Sequence, residues 1–134
     1  TVSEKVVGEI DNGLVILLGV QKGDTEKDAD FLVNKISGLR IFSDENDKMN
    51  LSIKDVDGSA LVISQFTLCG DLKKGRRPSF VNAAPPEDGN RLYEYFMAEL
   101  NQSGVQVQSG EFGARMNVEL VNDGPVTFVL NSKD

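Results

Sequence analysis

Two short segments of this chain combine polar side chains with backbone that suits binding or catalysis. The first, called the Gly-Pro segment, reads Asn122-Asp123-Gly124-Pro125-Val126-Thr127. Proline readily accepts a cis peptide bond, and a cis Gly-Pro bond would turn two neighbouring carbonyls the same way, as a small polar clamp. A hairpin interpretation competes with this clamp, because Asp-Gly between apolar runs is a common hairpin signal and proline can open a strand. Taken alone, these residues favour the hairpin.

The second segment, called the strand-end segment, reads Ser64-Gln65-Phe66-Thr67-Leu68. It closes the apolar run of residues 60–68, which predicts a buried strand. A period of two puts Gln65 and Thr67 on one face and Ser64 and Phe66 on the other. Burying a Gln or Thr side chain unpaired costs about 1–3 kcal/mol. Either these side chains bond to a neighbouring loop or they line a pocket, and the pattern leaves both alternatives open.

The composition removes the commonest nucleophilic mechanisms. The chain has no histidine and a single cysteine, Cys69, which excludes Ser-His-Asp and Cys-His schemes, histidine-based zinc sites and an internal disulfide framework. Without a histidine to activate it, Cys69 is interpreted as a passive buried thiol. Any catalysis is expected to rely on hydroxyls, carboxylates, backbone dipoles or the substrate itself.

Charged residues cluster in two loops. Residues 44–47 read Asp-Glu-Asn-Asp, but they lack the glycine and the final glutamate of an EF-hand, and we predict neither a metal nor a cofactor. The net charge of −7 argues against broad nucleic-acid binding. The basic loop, residues 73–77, is a local exception and is either a solvated loop or a site for a few phosphates. Its cations are Lys73, Lys74, Arg76 and Arg77.

The elements that must position these residues form one predicted domain over residues 1–134. Helices are predicted from Asp24 or Thr25 to Gly38 and from Pro85 to Gly104, because prolines, acids and glycines mark their ends. The order β-β-α-β-β-α-β-β-β indicates a mixed α/β fold with a largely antiparallel sheet, a barrel-like core and two main helices. The predicted strands are residues 6–10, 14–20, 39–42, 60–68, 105–107, 116–121 and 126–130.

The start of the chain carries no export signal in its pattern. Residues 1–5 lack the apolar core of a signal peptide, and no apolar run is long enough to form a membrane helix. We therefore expect a cytoplasmic location.

Segments along nearly the whole chain resemble the D-aminoacyl-tRNA deacylase family, formerly called D-tyrosyl-tRNA deacylases. Each segment alone is weakly specific, but seven in the family's order are highly specific. The matching segments are residues 13–20 (GLVILLGV), 40–44 (RIFSD), 48–50 (KMN), 64–68 (SQFTL), 74–80 (KGRRPSF), 110–116 (GEFGARM) and 122–127 (NDGPVT).

The resemblance implies a proofreading hydrolase with a D-aminoacyl-tRNA deacylase-like fold. Such an enzyme cleaves the ester between a D-amino acid and the terminal ribose of tRNA, and it releases free tRNA and the D-amino acid. The resemblance also implies activity on glycyl-tRNA, including glycine mischarged on tRNA-Ala. The family is homodimeric with sites at the subunit interface, so the expected partners are a second copy and the aminoacylated acceptor end of tRNA, with no DNA and no membrane.

The resemblance also implies roles for both segments. Phe66 is expected to help form an oxyanion site, while Gln65 and Thr67 contact the terminal adenosine. The Gly124-Pro125 bond is expected to be cis and to project its carbonyls into the partner's site, where an L side chain is rejected. The implied catalytic residues are Ser64, Gln65, Phe66 and Thr67; the clamp is Gly124, Pro125, Val126 and Thr127; substrate-binding residues are Met116, Phe112 and Asn122; and Lys73, Lys74, Arg76 and Arg77 hold tRNA phosphates.

The bond-breaking group is left open among three schemes. In the first scheme, Thr67 or Thr127 acts as a nucleophile. In the second, water attacks while the backbone N–H groups near Phe66 and Thr67 hold the oxyanion. In the third, the substrate's own 2′-hydroxyl assists. No base is visible in the sequence, and the absence of histidine favours the second and third schemes. Aminoacyl esters are already labile, so positioning and oxyanion stabilisation would suffice.

The sequence departs from the family pattern at its start. Family members usually begin with a further strand that carries a Gln-Arg-Val segment, and this chain starts after it. Without that strand an adjacent sheet edge would be exposed, which bears on activity and on dimer stability. A non-catalytic tRNA-binding homologue is therefore one alternative. An esterase that acts on another labile aminoacyl ester is a second.

Overall fold

The computed structural model describes all residues from Thr1 to Asp134 and contains two helices and five short strands. In chain order the elements are β1 (Gly13–Leu18), α1 (Glu26–Gly38), β2 (Phe42–Ser43), β3 (Met49–Leu51), β4 (Ser59–Ser64), a 3-10 helix (Phe66–Cys69), α2 (Pro86–Gln102) and β5 (Gln106–Ser109). None of the helices combines the length and the apolar composition needed to cross a membrane.

The two most apolar runs of the sequence form the centre of the main sheet. β4 lies between β1 and β5, and it pairs with both in parallel, with Gly13 opposite Ser59 and Ser59 opposite Gln106. Ala60 and Val62 of β4 are fully buried, because the helices cover this strand. The short β2 and β3 pair separately and are antiparallel.

Both predicted helices are confirmed, and their apolar faces build the core. At the start of α1, the backbone N–H of Thr25 donates to Asp28 Oδ2 at 2.8 Å. Pro86 opens α2, where its missing N–H costs nothing, and Gly104 follows its end with a φ of 104°. The two helices pack against each other and against β4. Their buried core residues include Ala29, Val33, Ile36, Tyr93, Phe96 and Leu100.

The mixed α/β class with two helices is confirmed, but the strand direction in the main sheet corrects the prediction of a largely antiparallel sheet. All pairs in the three-stranded sheet are parallel. The reason lies in the connections, because α1 lies in the chain between β1 and β4, and α2 lies between β4 and β5. A helical crossover returns the chain to the end of the sheet at which the previous strand began, so the next strand runs in the same direction.

Three predicted strands do not form, namely residues 6–10, 116–121 and 126–130. Residues 6–10, 118–121 and 127–130 make no hydrogen bond through a backbone N–H or C=O. The apolar pattern is that of strands, but no neighbouring strand lies alongside to complete a ladder. These segments and the free edge of β1 line an open cleft with a volume of about 1680 Å³.

Candidate functional site

The strand-end segment leaves the sheet earlier than the sequence predicts. β4 ends at Ser64, and the Gln65 N–H makes the last bond to the neighbouring strand, to Leu18 O at 2.8 Å. The chain then turns into the 3-10 helix Phe66–Cys69, in which the Leu68 N–H donates to Gln65 O at 3.2 Å. The predicted strand over residues 60–68 is therefore wrong beyond Ser64, and so is the two-face pattern assigned there, because local turn bonds replace the ladder.

This turn leaves two consecutive backbone donors free. The N–H groups of Phe66 and Thr67 donate to no acceptor in the chain, as expected for the first residues of a helical turn. Gln65 Nε2 donates to Thr67 Oγ1 at 2.5 Å, which resolves how these two polar side chains are paired. Thr67 is exposed and Gln65 is half-buried, so the donors and side chains of this segment face solvent rather than the core.

Residues that follow β5 in the chain lie beside the end of β4. Because the strands are parallel, their carboxyl ends meet at one edge of the sheet. The Met116 sulfur packs against Gly110 so closely that a Cβ at Gly110 would force the Met116 side chain to shift, and Ile63 of β4 borders the same place. The structure therefore brings Met116 to the sheet edge where the strand-end segment begins.

Phe112 packs on the helix side of this edge. Its ring lies 5.9 Å from the Tyr93 ring, centroid to centroid, and it borders Gly89 of α2. The Tyr93 hydroxyl donates to Val62 O of β4 at 3.0 Å, and burial raises the pKa of Tyr93 above its ordinary value. Phe112 is thus held by a buried tyrosine that is itself tied to the central strand.

The basic loop projects from the strand-end segment and is closed at its base. Asp71 and Ser79 exchange two backbone hydrogen bonds, of 2.7 and 3.0 Å. Gly75, at φ 70°, makes the turn at the tip with a conformation that other residues rarely adopt. The four cations of the loop are exposed and form no ion pair with an acidic residue, which leaves them available to an anionic ligand.

Phe80, for which the sequence predicted no role, connects the basic loop to the strand-end segment. Its ring meets the Phe66 ring edge to face, at 5.0 Å between centroids, and it also borders Gly70. Phe66 remains 57% exposed and Leu68 58% exposed. An aromatic residue directly after Pro78-Ser79, at the end of a basic run, was the available signal.

The Gly-Pro segment closes on itself through Asn122. The Asn122 side chain accepts from the Val126 N–H at 2.8 Å and donates to Thr127 Oγ1 at 2.9 Å. The Gly124-Pro125 bond is cis, as the resemblance implies. Gly124 has φ 139°, and a Cβ there would sit 2.6 Å from Val126 Cγ2, so the turn requires glycine. No hydrogen bond joins this turn to the strand-end segment of the same chain.

Cys69 has the environment of a structural thiol, as predicted. It is buried, and its sulfur lies 3.5 Å from Val20 O. Burial raises the pKa of the Cys69 thiol, and the negative charge of Asp24 raises it further. A thiol that holds its proton is a poor nucleophile.

Comparison with known proteins identifies the family. The family model of the D-Tyr-tRNA(Tyr) deacylases matches residues 1–131. The chain belongs to this family. The sequence-based prediction of a deacylase is thereby confirmed.

Relatives in this deacylase family cover nearly the whole chain. A D-aminoacyl-tRNA deacylase of Thermotoga petrophila is 56% identical over 131 residues, which are 98% of this chain and 88% of that protein. The deacylase of Pelobacter propionicus is 58% identical over 129 residues, which are 96% of this chain and 89% of that protein.

Solved structures share the fold. A protein described as c-Myc DNA Unwinding Element Binding Protein superposes with a TM-score of 0.88 at 37% identity, over 94% of this chain and 86% of that chain. A probable eukaryotic D-amino acid tRNA deacylase superposes with a TM-score of 0.62 at 17% identity, over 76% of this chain and 75% of that chain. The second likeness supports the fold alone.

Proposed function

We propose that this deacylase hydrolyses the ester between a D-amino acid and the terminal ribose of tRNA, and that it releases both as a chiral proofreading step in the cytoplasm. The observation that carries the proposal is the pair of free N–H donors at Phe66 and Thr67, on an exposed turn at the end of a buried strand. Two adjacent backbone donors can stabilise the negative oxygen that forms when an ester carbonyl is attacked.

The bonding of Thr67 argues against its use as the nucleophile. Its hydroxyl oxygen accepts a hydrogen bond from the Gln65 amide nitrogen, which has no basic lone pair that could remove a proton. The same bond leaves the Thr67 proton free to donate to a ligand. We therefore assign Gln65 and Thr67 to binding of the terminal adenosine. The group that attacks the ester carbonyl is then water, or the attack is assisted by the substrate's 2′-hydroxyl.

The walls of the substrate site are assigned to the side chains around this turn. Met116 at the sheet edge would line the adenine pocket, and Phe112, fixed by Tyr93, would border it. Ser64, the last residue of β4, positions the turn. Asn122 is assigned a supporting role, because both ends of its amide are engaged within the Gly-Pro segment.

We assign the discrimination between D and L substrates to the Gly-Pro segment of a second copy of this chain. The residues concerned are Gly124, Pro125, Val126 and Thr127. Their turn is exposed and has no hydrogen bond to the strand-end segment of its own chain, which supports a clamp that acts across a homodimer. An L side chain would collide with the clamp, while a D side chain would point away. Glycine has no side chain to reject, so glycyl-tRNA would also be cleaved.

We assign binding of the acceptor end of tRNA to the basic loop. Lys73, Lys74, Arg76 and Arg77 lack acidic partners, and Phe80 holds this loop against Phe66 of the proposed oxyanion site. Phosphates bound here would bring the esterified ribose to the free N–H groups. A concentrated patch of this kind binds a few phosphates even though the whole chain carries a charge of −7.

The decisive test compares hydrolysis of matched D- and L-tyrosyl-tRNA by the same protein. We expect the D substrate to be cleaved and the L substrate to be spared, and equal rates would overturn the clamp. Charged tRNA should also be compared with a small D-tyrosyl ester. Comparable rates on both would favour a general esterase, while binding of tRNA without cleavage would favour a non-catalytic homologue.

The location of the clamp has its own test, based on mixed dimers. A chain with Pro125→Ala should cleave the L substrate, and a chain with Phe66→Pro should be inactive. If the clamp acts across the interface, excess Phe66→Pro chain restores the selectivity for the D substrate. In such a mixed dimer the competent active site of the Pro125→Ala chain faces the intact clamp of the Phe66→Pro chain. If the Pro125→Ala chain cleaves the L substrate equally fast with and without excess Phe66→Pro chain, the clamp acts on the active site of its own subunit.

The solved relative described as a DNA unwinding element binding protein raises a second possibility for the basic loop. Duplex DNA and deacylated tRNA should be compared as competitors in the deacylation assay. We expect tRNA to compete and DNA to fail at moderate salt, because the chain's net charge of −7 opposes contact with an extended duplex.

A further inference from the structure

The turn that leads into β1 ends in an asparagine followed by a glycine that the fold requires. Asn12 is the only asparagine in the chain that precedes a glycine. Gly13 has φ 153°, and a Cβ there would collide with the backbone carbonyl of Ser59 on β4. The backbone conformation and the packing against β4 therefore both exclude a side chain at this position. A glycine has no side chain to shield its backbone nitrogen, so this nitrogen has open access to the Asn12 carboxamide.

The Asn12 side chain is free of the bonds that hold other asparagines. Asn12 lies exposed in the bend before β1, and its carboxamide takes part in no hydrogen bond of the chain. The amide of Asn122, in contrast, is engaged at both ends within the Gly-Pro segment. Asn131 Oδ1 accepts from the Lys133 N–H at 2.9 Å. A carboxamide without partners turns freely towards the next backbone nitrogen, whereas an engaged one must first give up its bonds.

The backbone nitrogen of Gly13 is not held by β4. Gly13 lies opposite Ser59, and the Ser59 N–H donates to Asn12 O at 3.0 Å. In a parallel ladder a residue bonds to the two neighbours of the residue opposite it, so the other bond of Ser59 involves the Leu14 N–H. The Gly13 N–H therefore points away from β4. The ladder fixes the carbonyl of Asn12 and leaves the nitrogen that follows it outside the bonds to β4.

We propose that Asn12 is a modification site at which the chain itself forms isoaspartate. The Gly13 nitrogen attacks Asn12 Cγ, so that the new N–Cγ bond forms and the Cγ–Nδ2 bond breaks. The Gly13 amide proton leaves with Nδ2 as ammonia, and water then opens the resulting succinimide. Cleavage between the Gly13 nitrogen and Asn12 C leaves Gly13 attached to Cγ, which gives isoaspartate, whereas cleavage of the N–Cγ bond gives aspartate. Water is the only other reactant.

Isoaspartate at this position alters the first bond between β1 and β4. It adds one methylene group to the backbone before Gly13 and turns the former Asn12 carbonyl into a free carboxylate. That carbonyl is the acceptor of the Ser59 N–H, and Gly13 is packed tightly against Ser59. The start of β1 therefore cannot take up the extra length without moving Gly13 or giving up its bond to Ser59. Aspartate adds the same charge without the methylene group and keeps the backbone length.

Timed incubation of the intact 134-residue chain at mildly alkaline pH tests the site. Peptide mass mapping locates the mass gain of an amide that becomes an acid, and protein isoaspartyl methyltransferase labels isoaspartate. We expect the rate at Asn12 in the folded protein to lie within about tenfold of its rate in the guanidinium-unfolded chain, because a bend that opens at little cost gains little protection from folding. Folding should slow the reaction far more at Asn122 and Asn131. Conversion of Asn12 in the unfolded chain alone would overturn the proposal.

Two variants of Asn12 make the test specific. Asn12→Gln, whose longer side chain closes a ring less readily, should lose the isoaspartate label, and a label that persists would place the modification elsewhere. The isoaspartate form, collected by ion exchange as the fraction that the methyltransferase labels, should unfold at a lower denaturant concentration than Asn12→Asp. Both proteins carry the same added charge, so the difference reports the extra methylene group. Equal midpoints would overturn the predicted effect on β1.

Discussion

The strand-end segment and the Gly-Pro segment carry the two halves of the proposed function on contrasting supports. The first leaves the most buried strand of the protein, is bonded to Leu18, and is braced by the Phe66–Phe80 contact. The second lies between residues 118–121 and 127–130, which make no backbone hydrogen bond, and the hydrogen bonds of its own Asn122 hold it in shape.

This contrast separates a group that must be preorganised from one that is presented to a partner. An oxyanion site stabilises charge only if its donors are already in place, which the buried sheet ensures. A clamp that serves another subunit needs a fixed local shape and free surroundings. We therefore expect changes in the first segment to alter rate, and changes in the second to alter the choice between D and L substrates.

The largest expected effect is the loss of an oxyanion donor. Phe66→Pro removes one free N–H without breaking any bond in the chain, and the backbone of a 3-10 helix suits the φ of proline. We expect kcat on D-tyrosyl-tRNA to fall about 10²–10³-fold. Phe66→Leu, which keeps the N–H and loses the ring, is the matched control. Similar losses in both variants would show that the ring, and not the donor, is what matters.

The next effect concerns chirality. Asn122→Ala removes the two bonds that close the Gly-Pro segment, each contributing about 1 kcal/mol. The D-over-L ratio of kcat/KM should drop about tenfold or more while cleavage of the D substrate is little changed. The neighbouring Asp123→Ala, whose side chain makes no bond in the chain, should leave the ratio intact. An equal loss of both activities in Asn122→Ala would contradict the division of roles.

The basic loop should contribute to binding rather than to either rate or chirality. Replacing Lys73, Lys74, Arg76 and Arg77 by Gln should weaken tRNA binding and flatten the plot of log affinity against log salt. The slope should fall by about 0.7 for each single-strand phosphate that the variant no longer neutralises. Replacing exposed lysines elsewhere, at positions 22, 27 and 35, is the control. An unchanged slope in the loop variant would remove this loop from the tRNA site.

The smallest effect concerns the chain end that follows the Gly-Pro segment. Lys133 Nζ and Ser132 Oγ both bond to Asp28 Oδ1, at 2.6 and 2.9 Å, at the start of α1. The bond from Lys133, followed by the Thr25 N–H, lowers the pKa of Asp28 from 3.8 to about 2. A lowered folded-state pKa stabilises the protein above pH 3.8, and this stabilisation is lost as pH falls towards 2.

Denaturant unfolding measured from pH 7 to pH 2 checks this link. Asp28→Asn should cost no more than about 1 kcal/mol at pH 7, because solvent screens an ion pair whose lysine is largely exposed. The cost should shrink at pH 2. Lys133→Gln should cost a similar amount, and the double variant should cost less than the sum of both. Additive costs would mean that the two residues do not interact.

Residue types and local patterns were sufficient to predict both helices. The prolines and acids before α2 and the apolar spacing of α1 act within one or two turns, so no distant residue is needed to decide them. The family could also be predicted, because short segments in a fixed order along the chain are specific even where each one is weak. The same segments supplied the candidate residues of the site.

Strand partners and strand ends could not be predicted in the same way. An apolar alternating run indicates a strand whether or not a neighbour is present, which is why residues 6–10 and 116–121 were predicted as strands although residues 6–10 and 118–121 make no backbone hydrogen bond. The direction of the main sheet depended on helices that cross between its strands, and β4 stopped at Ser64 although its apolar pattern continues. Hydrogen bonding between segments distant in sequence decided each case.

The sequence by itself therefore determined the chemistry that is available. It has no histidine, a single cysteine, a polar strand end, a Gly-Pro turn and one basic loop, and these are properties of residue type and spacing. Only the tertiary structure decided which groups are free to act. The exposed N–H groups of Phe66 and Thr67, the Phe80 brace and the open cleft beside β1 all arise from pairing across the fold, because a backbone donor is free only when no distant segment accepts it.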